Sequence, residues 1–447
     1  MNGKTIAAIS TPPGTGGIAV IRVSGSDAFN IVSKIYSGKE NPATAPSHTV
    51  HYGHIIDKNG LPIDEVLVTV MKAPKSFTGE NVAEIGTHGG ITASKMVLKR
   101  LIEAGAYPAE PGEFTKRAFL NGKIDLSEAE GVIDIINSKN EIAERNAVGQ
   151  LAGKLSSRIE KIRSELVKLA ASMQVIIDYP DEELEDITTK DIENISAAQK
   201  QAIEKLIESS KRGKIITDGI LTAIVGRPNV GKSSLLNLLS GEERAIVTDI
   251  AGTTRDIIEE TVNLNGVMLR LVDTAGIHDT DDRVEKLGVE RSLDAIGRAD
   301  LVLAVFDSSE QLTPEDSEIL EKTKGKKRII IINKTDISAD FPLDGISFSA
   351  KTGFGLDELA DKIKAMYELG ELEQNDEPIV TNMRHTAALC RAKEFLENIV
   401  TGAQSGLPSD ILSIDLNNAI DALGEITGAV VSEDIVSEIF HNFCVGK

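Results

Sequence analysis

The stretch Gly226-Arg227-Pro228-Asn229-Val230-Gly231-Lys232-Ser233 has the residue types of a phosphate-binding loop. Its glycines let backbone N–H groups close around an anion, Lys232 reaches β and γ oxygens, and the Ser233 hydroxyl can ligate Mg²⁺. Asn229, Val230, Gly231, Lys232, Ser233 and Ser234 are therefore candidate nucleotide contacts. Further along, Asn333-Lys334-Thr335-Asp336 offers a carboxylate that can accept both N–H donors on the edge of guanine. Adenine lacks that donor pair, so Asp336 is expected to carry the preference for GTP over ATP. Ser349-Ala350-Lys351 fits a second guanine-contacting loop. Asp273-Thr274-Ala275-Gly276 brings a carboxylate to the Mg²⁺ shell and a glycine N–H to the γ-phosphate. Thr254, within Gly252-Thr253-Thr254-Arg255-Asp256, is the candidate second Mg²⁺ ligand.

These motifs need strands that end on loops. The apolar run from Leu221 to Val225 precedes the phosphate loop, and Ser233 to Leu239 reads as the helix after it. The segments Glu259 to Leu264, Val267 to Val272 and Ile329 to Ile332 read as further strands. Upstream, Ile18 to Val23 and Val66 to Met71 are strand-like, Ile91 to Ala104 is helix-like, and Ser37 to Ser47 reads as a loop. Leu151, Leu155, Ile159, Ile162, Leu166 and Leu169 recur at three and four residues, the stripe of a long amphipathic helix. Leu412, Leu416, Ile420, Leu423 and Ile426 repeat that spacing beyond the nucleotide motifs. Neither stripe can be buried alone, so the flanks are expected to join into one discontinuous helical domain around an inserted nucleotide domain.

Two departures from the Ras-like pattern bear on mechanism. Ile277 follows D-T-A-G, where a water-orienting Gln would stand, and no arginine finger is evident. Asn229 offers an amide oxygen beside the phosphates; with oxygens from the loop Thr248 to Thr253 it could hold a monovalent cation where a finger's charge would sit. Taken alone, Asn229 is equally a tolerated loop residue.

The chain has 447 residues, a length that suits about three domains. No apolar run approaches the ~18 residues of a membrane span, and the first residues lack the pattern of a secretory signal. The only two cysteines, Cys390 and Cys444, exclude a disulfide framework, which points to a cytoplasmic protein with no membrane partner. A net charge of −21 opposes broad RNA binding, although the acidity is concentrated in stretches such as Asp178 to Asp186 and Glu368 to Glu377. Any RNA contact is expected to be local or shared with a partner.

G-R-P-N-V-G-K-S, D-I-A-G-T-T-R-D and D-T-A-G together resemble the potassium-activated GTPases related to translation factors. The N-terminal third adds Thr11-Pro12-Pro13-Gly14, Arg22-Val23-Ser24-Gly25, Thr78-Gly79-Glu80, His88-Gly89-Gly90 and the run from Pro111 to Lys123, and the chain ends Phe443-Cys444-Val445-Gly446-Lys447. With these the whole chain resembles the tRNA uridine-5-carboxymethylaminomethyl modification GTPases, the TrmE/MnmE family. The resemblance implies K⁺ held by Asn229 and by groups of Thr248, Ile250 and Thr253, and GTP contacts that include Asp249, Ala251 and Gly252. It also implies activation when two G domains pair, with Glu285 orienting water. Unaided by the family, Glu285 reads as a solvated carboxylate.

The same resemblance implies a multidomain fold. A folate-binding and dimerising α+β domain would span 1–120, a discontinuous all-α domain 121–215 and 377–447, and an inserted Ras-like α/β P-loop GTPase domain 216–376. Arg22, Glu80, Lys123 and Lys447 match the folate-site positions, for 5-formyltetrahydrofolate or 5,10-methylenetetrahydrofolate; singly, each reads as a surface charge. The implied partners are a second copy in a homodimer, an FAD-containing protein in a hetero-oligomer, and tRNA modified at its wobble uridine. Cys444 is a candidate nucleophile with no base assigned to it, and His88, flanked by glycines, reads as a loop residue. His278 stands where relatives often carry Arg. A ribosome-assembly GTPase would share the P-loop and D-T-A-G but would carry a second G domain or a KH-type loop, neither of which is evident. A non-catalytic GTP-binding scaffold is disfavoured by Thr254, Asp273 and Glu285.

Overall fold

The structure, a computed structural model, describes residues 3–178, 188–241, 260–272, 295–338, 341–368 and 377–447. The chain divides into two compact units, residues 1–133 with 421–447, and residues 134–420.

The first unit is built on a seven-stranded sheet of β1 (Ile6–Ile9), β2 (Ile18–Ser24), β3 (Tyr36–Gly38), β4 (Thr49–Ile56), β5 (Pro62–Met71), β6 (Val82–His88) and β7 (Tyr107–Pro108). The spatial order is β3-β4-β5-β6-β2-β1-β7, antiparallel except for the β1–β7 pair. Alternation along β5 buries Val66, Val68 and Val70, and with Ile21, Val23 and Ile85 they form one apolar face. Helices α1 (Ala28–Ser33) and α2 (Ile91–Ala104) cover that face with Phe29, Val32, Val97 and Leu101. The expected loop from Ser37 gives its first two residues to β3, and His88 is the last residue of β6, paired with Ile18, so neither is plain loop. A smaller core sets Phe114 of α3 (Glu113–Leu120) against Ile6 and Ala8.

In the second unit, α4 (Leu126–Asn137), which begins in the first, leads to α5 (Glu141–Leu151), α6 (Lys154–Asp178) and α7 (Thr189–Asp218). The expected single stripe is shared by two helices, because Ala152 and Gly153 turn the chain between them. Leu151 closes α5, while Leu155, Ile159, Ile162, Leu166 and Leu169 are the buried face of α6.

A six-stranded sheet follows: β8 (Ile220–Val225), β9 (Glu260–Leu264), β10 (Val267–Val272), β11 (Leu301–Asp307), β12 (Arg328–Asn333) and β13 (Ile346–Ser347). Its order is β13-β12-β11-β8-β10-β9, parallel but for the β9–β10 hairpin. Strand β11 is buried along its whole length, as a central parallel strand covered on both faces must be. The sheet carries α8 (Lys232–Gly241), α9 (Pro314–Lys322) and α10 (Leu356–Met366). This parallel sheet, with a phosphate loop after its first strand, is a Ras-like P-loop domain.

The chain then returns to α7, where the Val380 N–H donates to the Ser209 hydroxyl at 3.1 Å. Helix α11 (Met383–Gln404) packs along α7 through Lys393–Glu204, Lys200–Glu397 and a Gln404–Glu193 hydrogen bond. Helix α12 (Ser409–Thr427) buries Leu412, Leu416, Ile420, Leu423 and Ile426, the stripe read from spacing. In the first unit, α13 (Glu433–His441) adds Val436 and Phe440 to a core with Leu126, Ala129 and Phe443.

Candidate functional site

In an open α/β sheet, ligands bind beyond the carboxyl ends of the strands, beside the point where chain order reverses. Strand β8 lies between β10 and β11, so its exit, the phosphate loop, sits at that point. The Lys232 ammonium is drawn into the loop, where it donates to the carbonyl oxygens of Gly226 at 2.8 Å and Arg227 at 2.6 Å. Burial lowers its pKa from the usual lysine value. Asn229 takes a left-handed φ of +64° and is exposed; Ser233 and Ser234 are exposed in the first turn of α8. Gly231, at φ +101°, lies so near the next loop that a Cβ there would sit 2.1 Å from Asn333 Nδ2.

That neighbour explains the N-K-x-D asparagine. Asn333 Nδ2 donates to the Val230 carbonyl at 2.8 Å, and its Oδ1 accepts from the Ala350 N–H at 2.9 Å. One amide thus ties the phosphate loop, the N-K-x-D turn and the Ser349-Ala350-Lys351 loop together. Asp336 is exposed and accepts from the Ser349 hydroxyl at 2.8 Å, so a serine of the second loop orients the carboxylate expected to read guanine. Lys351 is also exposed there. Lys334, at φ +64°, pairs with the buried Asp307 at the end of β11. Burial works upward on the Asp307 carboxyl, but Lys334 and the Ser309 hydroxyl and N–H outweigh it and hold the pKa below the usual range.

Sequence reasoning missed Asp307, and it missed Arg227 as a structural group. Arg227 Nε donates to Asp316 at 2.9 Å and its Nη2 to Glu310 at 3.0 Å. Asp316 in turn closes the capping box of α9 with Thr313. The phosphate loop is therefore braced from outside. Thr248, Asp249, Ile250, Ala251, Gly252, Thr253, Thr254, Asp273, Thr274, Ala275, Gly276 and Glu285 lie outside the described residues.

In the first unit, Arg22 donates to Glu84 at 2.9 Å and lies over the rings of Phe77 and Phe114, 5.3 and 5.6 Å from their centroids. Glu80 accepts from the Ser24 hydroxyl at 2.7 Å and from Arg117 at 3.0 Å. Arg117 also binds Glu113. Both Glu80 oxygens thus already receive Arg117, a neighbour that sequence reasoning had not assigned. Lys123 donates to the Pro74 carbonyl. The terminal segment is pinned beside β1: the Ser10 hydroxyl donates to the Gly446 carbonyl at 2.9 Å, and Val445 bridges Pro111. Lys447 donates its N–H to the carbonyl of Cys444, whose side chain is exposed.

Residues 5–123 match the family model described as GTP-binding protein TrmE N-terminus, and residues 126–444 match the MnmE helical domain. The chain belongs to the MnmE family of tRNA modification GTPases. It is 47% identical over 455 residues to the tRNA modification GTPase MnmE of Lactobacillus helveticus, covering 99% of this chain and 98% of that one. The Enterococcus faecalis enzyme is 48% identical over 460 residues, covering 100% and 99%. Among solved structures, Aquifex aeolicus Era bound to GDP and AlF₄⁻ is 28% identical with a TM-score of 0.25, covering 39% of this chain and 65% of that one. The G domain of the T. maritima FeoB iron transporter is 30% identical with a TM-score of 0.24, covering 33% and 97%. As an MnmE-family enzyme, the chain is a GTP-binding GTPase of tRNA modification. Among the described residues, no helix is long and apolar enough to cross a membrane.

Proposed function

We propose that this enzyme couples K⁺-dependent GTP hydrolysis to a 5-carboxymethylaminomethyl-type modification of the wobble uridine of certain tRNAs. A folate would supply the one-carbon unit and an FAD-containing partner the redox chemistry, in a cytoplasmic assembly built on a homodimer. The reading is carried by the likeness to tRNA modification GTPases along nearly the full length of the chain. Its domains would be 1–120 for folate binding and dimerisation, 121–215 with 377–447 for the helices, and 216–376 for GTP.

The nucleotide-facing groups fit this chemistry. The Lys232 ammonium is held inside the phosphate loop, and Ser233 lies in the first turn of α8, whose first N–H groups favour an anion. Ser233 with Thr254 would hold Mg²⁺, alongside Asp273; Asn229 with Thr248, Ile250 and Thr253 would hold K⁺. The left-handed, exposed Asn229 suits an amide oxygen offered to a cation at the loop's outer side. Bound there, Mg²⁺ and K⁺ would supply positive charge opposite the phosphoryl oxygens. Glu285 would orient the attacking water.

The cluster in the first unit also fits a folate. Arg22 and Lys123 are cations for glutamate carboxylates, Phe77 and Phe114 offer ring faces, and Glu80 is a fixed acceptor for a pterin N–H edge. Lys447 would close the site from the pinned tail, and Cys444 is the candidate thiol beside it. Deleting the gene and analysing tRNA nucleosides by mass spectrometry tests the whole reading. Loss of the modified wobble uridine is expected, and its persistence would overturn the substrate assignment.

A further inference from the structure

Asp307 ends β11 beside the guanine-reading turn and belongs to none of the nucleotide motifs. Its carboxylate is only 3% exposed, and it accepts from the Ser309 hydroxyl at 2.6 Å and the Ser309 N–H at 2.9 Å as well as from Lys334 Nζ. The adjacent Ser308 donates its N–H to the Asn333 carbonyl at 2.9 Å and its hydroxyl to the Ser338 carbonyl at 2.7 Å. Residues 307–309 therefore grip the turn 333–338 near both ends. From the other side, the N–H and hydroxyl of Thr335 donate to the Phe348 carbonyl. Between these grips lies Lys334, a residue with a Cβ held in the left-handed region. That conformation is unfavourable for an L-residue unless its surroundings impose it.

We propose that Asp307 is a positioning residue for guanine selection. Its buried charge fixes the Lys334 ammonium in one place, which helps hold the left-handed backbone at 334. The carboxylate of Asp336, two residues on, is thereby aimed at the ring N–H and exocyclic amine of guanine. Loss of the anchor lets the turn relax toward ordinary φ values and swings Asp336 off the line it needs for two parallel hydrogen bonds.

The test compares GDP with IDP, whose hypoxanthine base keeps the ring N–H and lacks the amine, in equilibrium binding to the full-length protein. Asp307→Asn, nearly isosteric, is expected to lower the GDP-over-IDP affinity ratio by about tenfold, because a second charge-assisted hydrogen bond is lost. In a Lys334→Met background the same change is expected to lower the ratio no further, and Asp307→Glu is expected to restore part of it. A folded Asp307→Asn protein with an unchanged ratio would overturn the proposal, as would a drop that adds in full to that of Lys334→Met. Should Asp307→Asn fail to fold, Ser309→Ala removes a donor to the same carboxylate from an exposed position. It is expected to lower the ratio about threefold, and no change would count equally against the role.

Discussion

The side-chain amide of Asn333 donates to the carbonyl oxygen of Val230 at 2.8 Å, joining the N-K-x-D turn to the phosphate loop across 103 residues of sequence. The contact explains why an asparagine opens N-K-x-D. Only a group with a donor and an acceptor on one planar head can answer Val230 and Ala350 together. Asn333→Ala leaves both partners unanswered in a buried place, so the expected cost is about 1–3 kcal/mol of stability. Denaturant unfolding with and without GDP measures it. A stability within experimental error of the parent would remove the bridging role.

Gly231 is the steric counterpart of that bridge. A methyl group at φ +101°, placed 2.1 Å from Asn333 Nδ2, must push the two loops apart. Gly231→Ala is therefore expected to weaken GDP binding by about tenfold or more. Titration with a fluorescent GDP analogue reads this directly, and an affinity equal to that of the parent would show that the close approach is dispensable.

In the first unit, His88 Nδ1 lies 2.6 Å from Asp64 Oδ1, and the His88 N–H donates to the other carboxylate oxygen at 2.8 Å. The hydrogen bond to Asp64 and its charge raise the imidazole pKa above its usual 6.5. Because the folded value is the higher one, stabilisation by this pair is complete below the unfolded pKa and is lost as pH rises through the folded one. A proton NMR titration is expected to place the His88 midpoint above 6.5, and Asp64→Asn to bring it down. An unmoved midpoint in that variant would remove Asp64 as the cause.

The pinned tail gives a test of the folate reading. Gly446 has φ +97°, and a Cβ there would meet the Ile9 carbonyl oxygen at 2.3 Å. Gly446→Ala is expected to displace Lys447 and weaken 5-formyltetrahydrofolate binding in calorimetry while GDP affinity stays unchanged. Parent-like folate binding would separate the tail from that site.

The strand-to-loop placement of the nucleotide motifs was legible because each is local: Lys232, Asp336 and Ser349 each follow a short strand that patterning reveals. The boundaries of α2 and the buried stripe of α12 were legible for the same reason, since a helical period repeats within one turn. The same period misled at Leu151, because a two-residue turn can interrupt a helix without shifting the phase of its apolar residues. The braces could not be read. Arg227 and Asp316 are 89 residues apart, Asp307 and Lys334 are 27 apart, and pairs created by packing leave no pattern in the intervening chain. Arg117 stood within a recognised motif, but its grip on Glu80 depends on α3 meeting the loop before β6.

In the proposed function the asparagine of the phosphate loop, Asn229, serves a cation in place of an arginine finger. GTP turnover by the full-length protein, measured in K⁺ and in Na⁺ at equal ionic strength, tests this most directly. Fast turnover in K⁺, collapse in Na⁺ and loss of the difference in Asn229→Ala are expected. Equal rates in the two salts would contradict that role for Asn229.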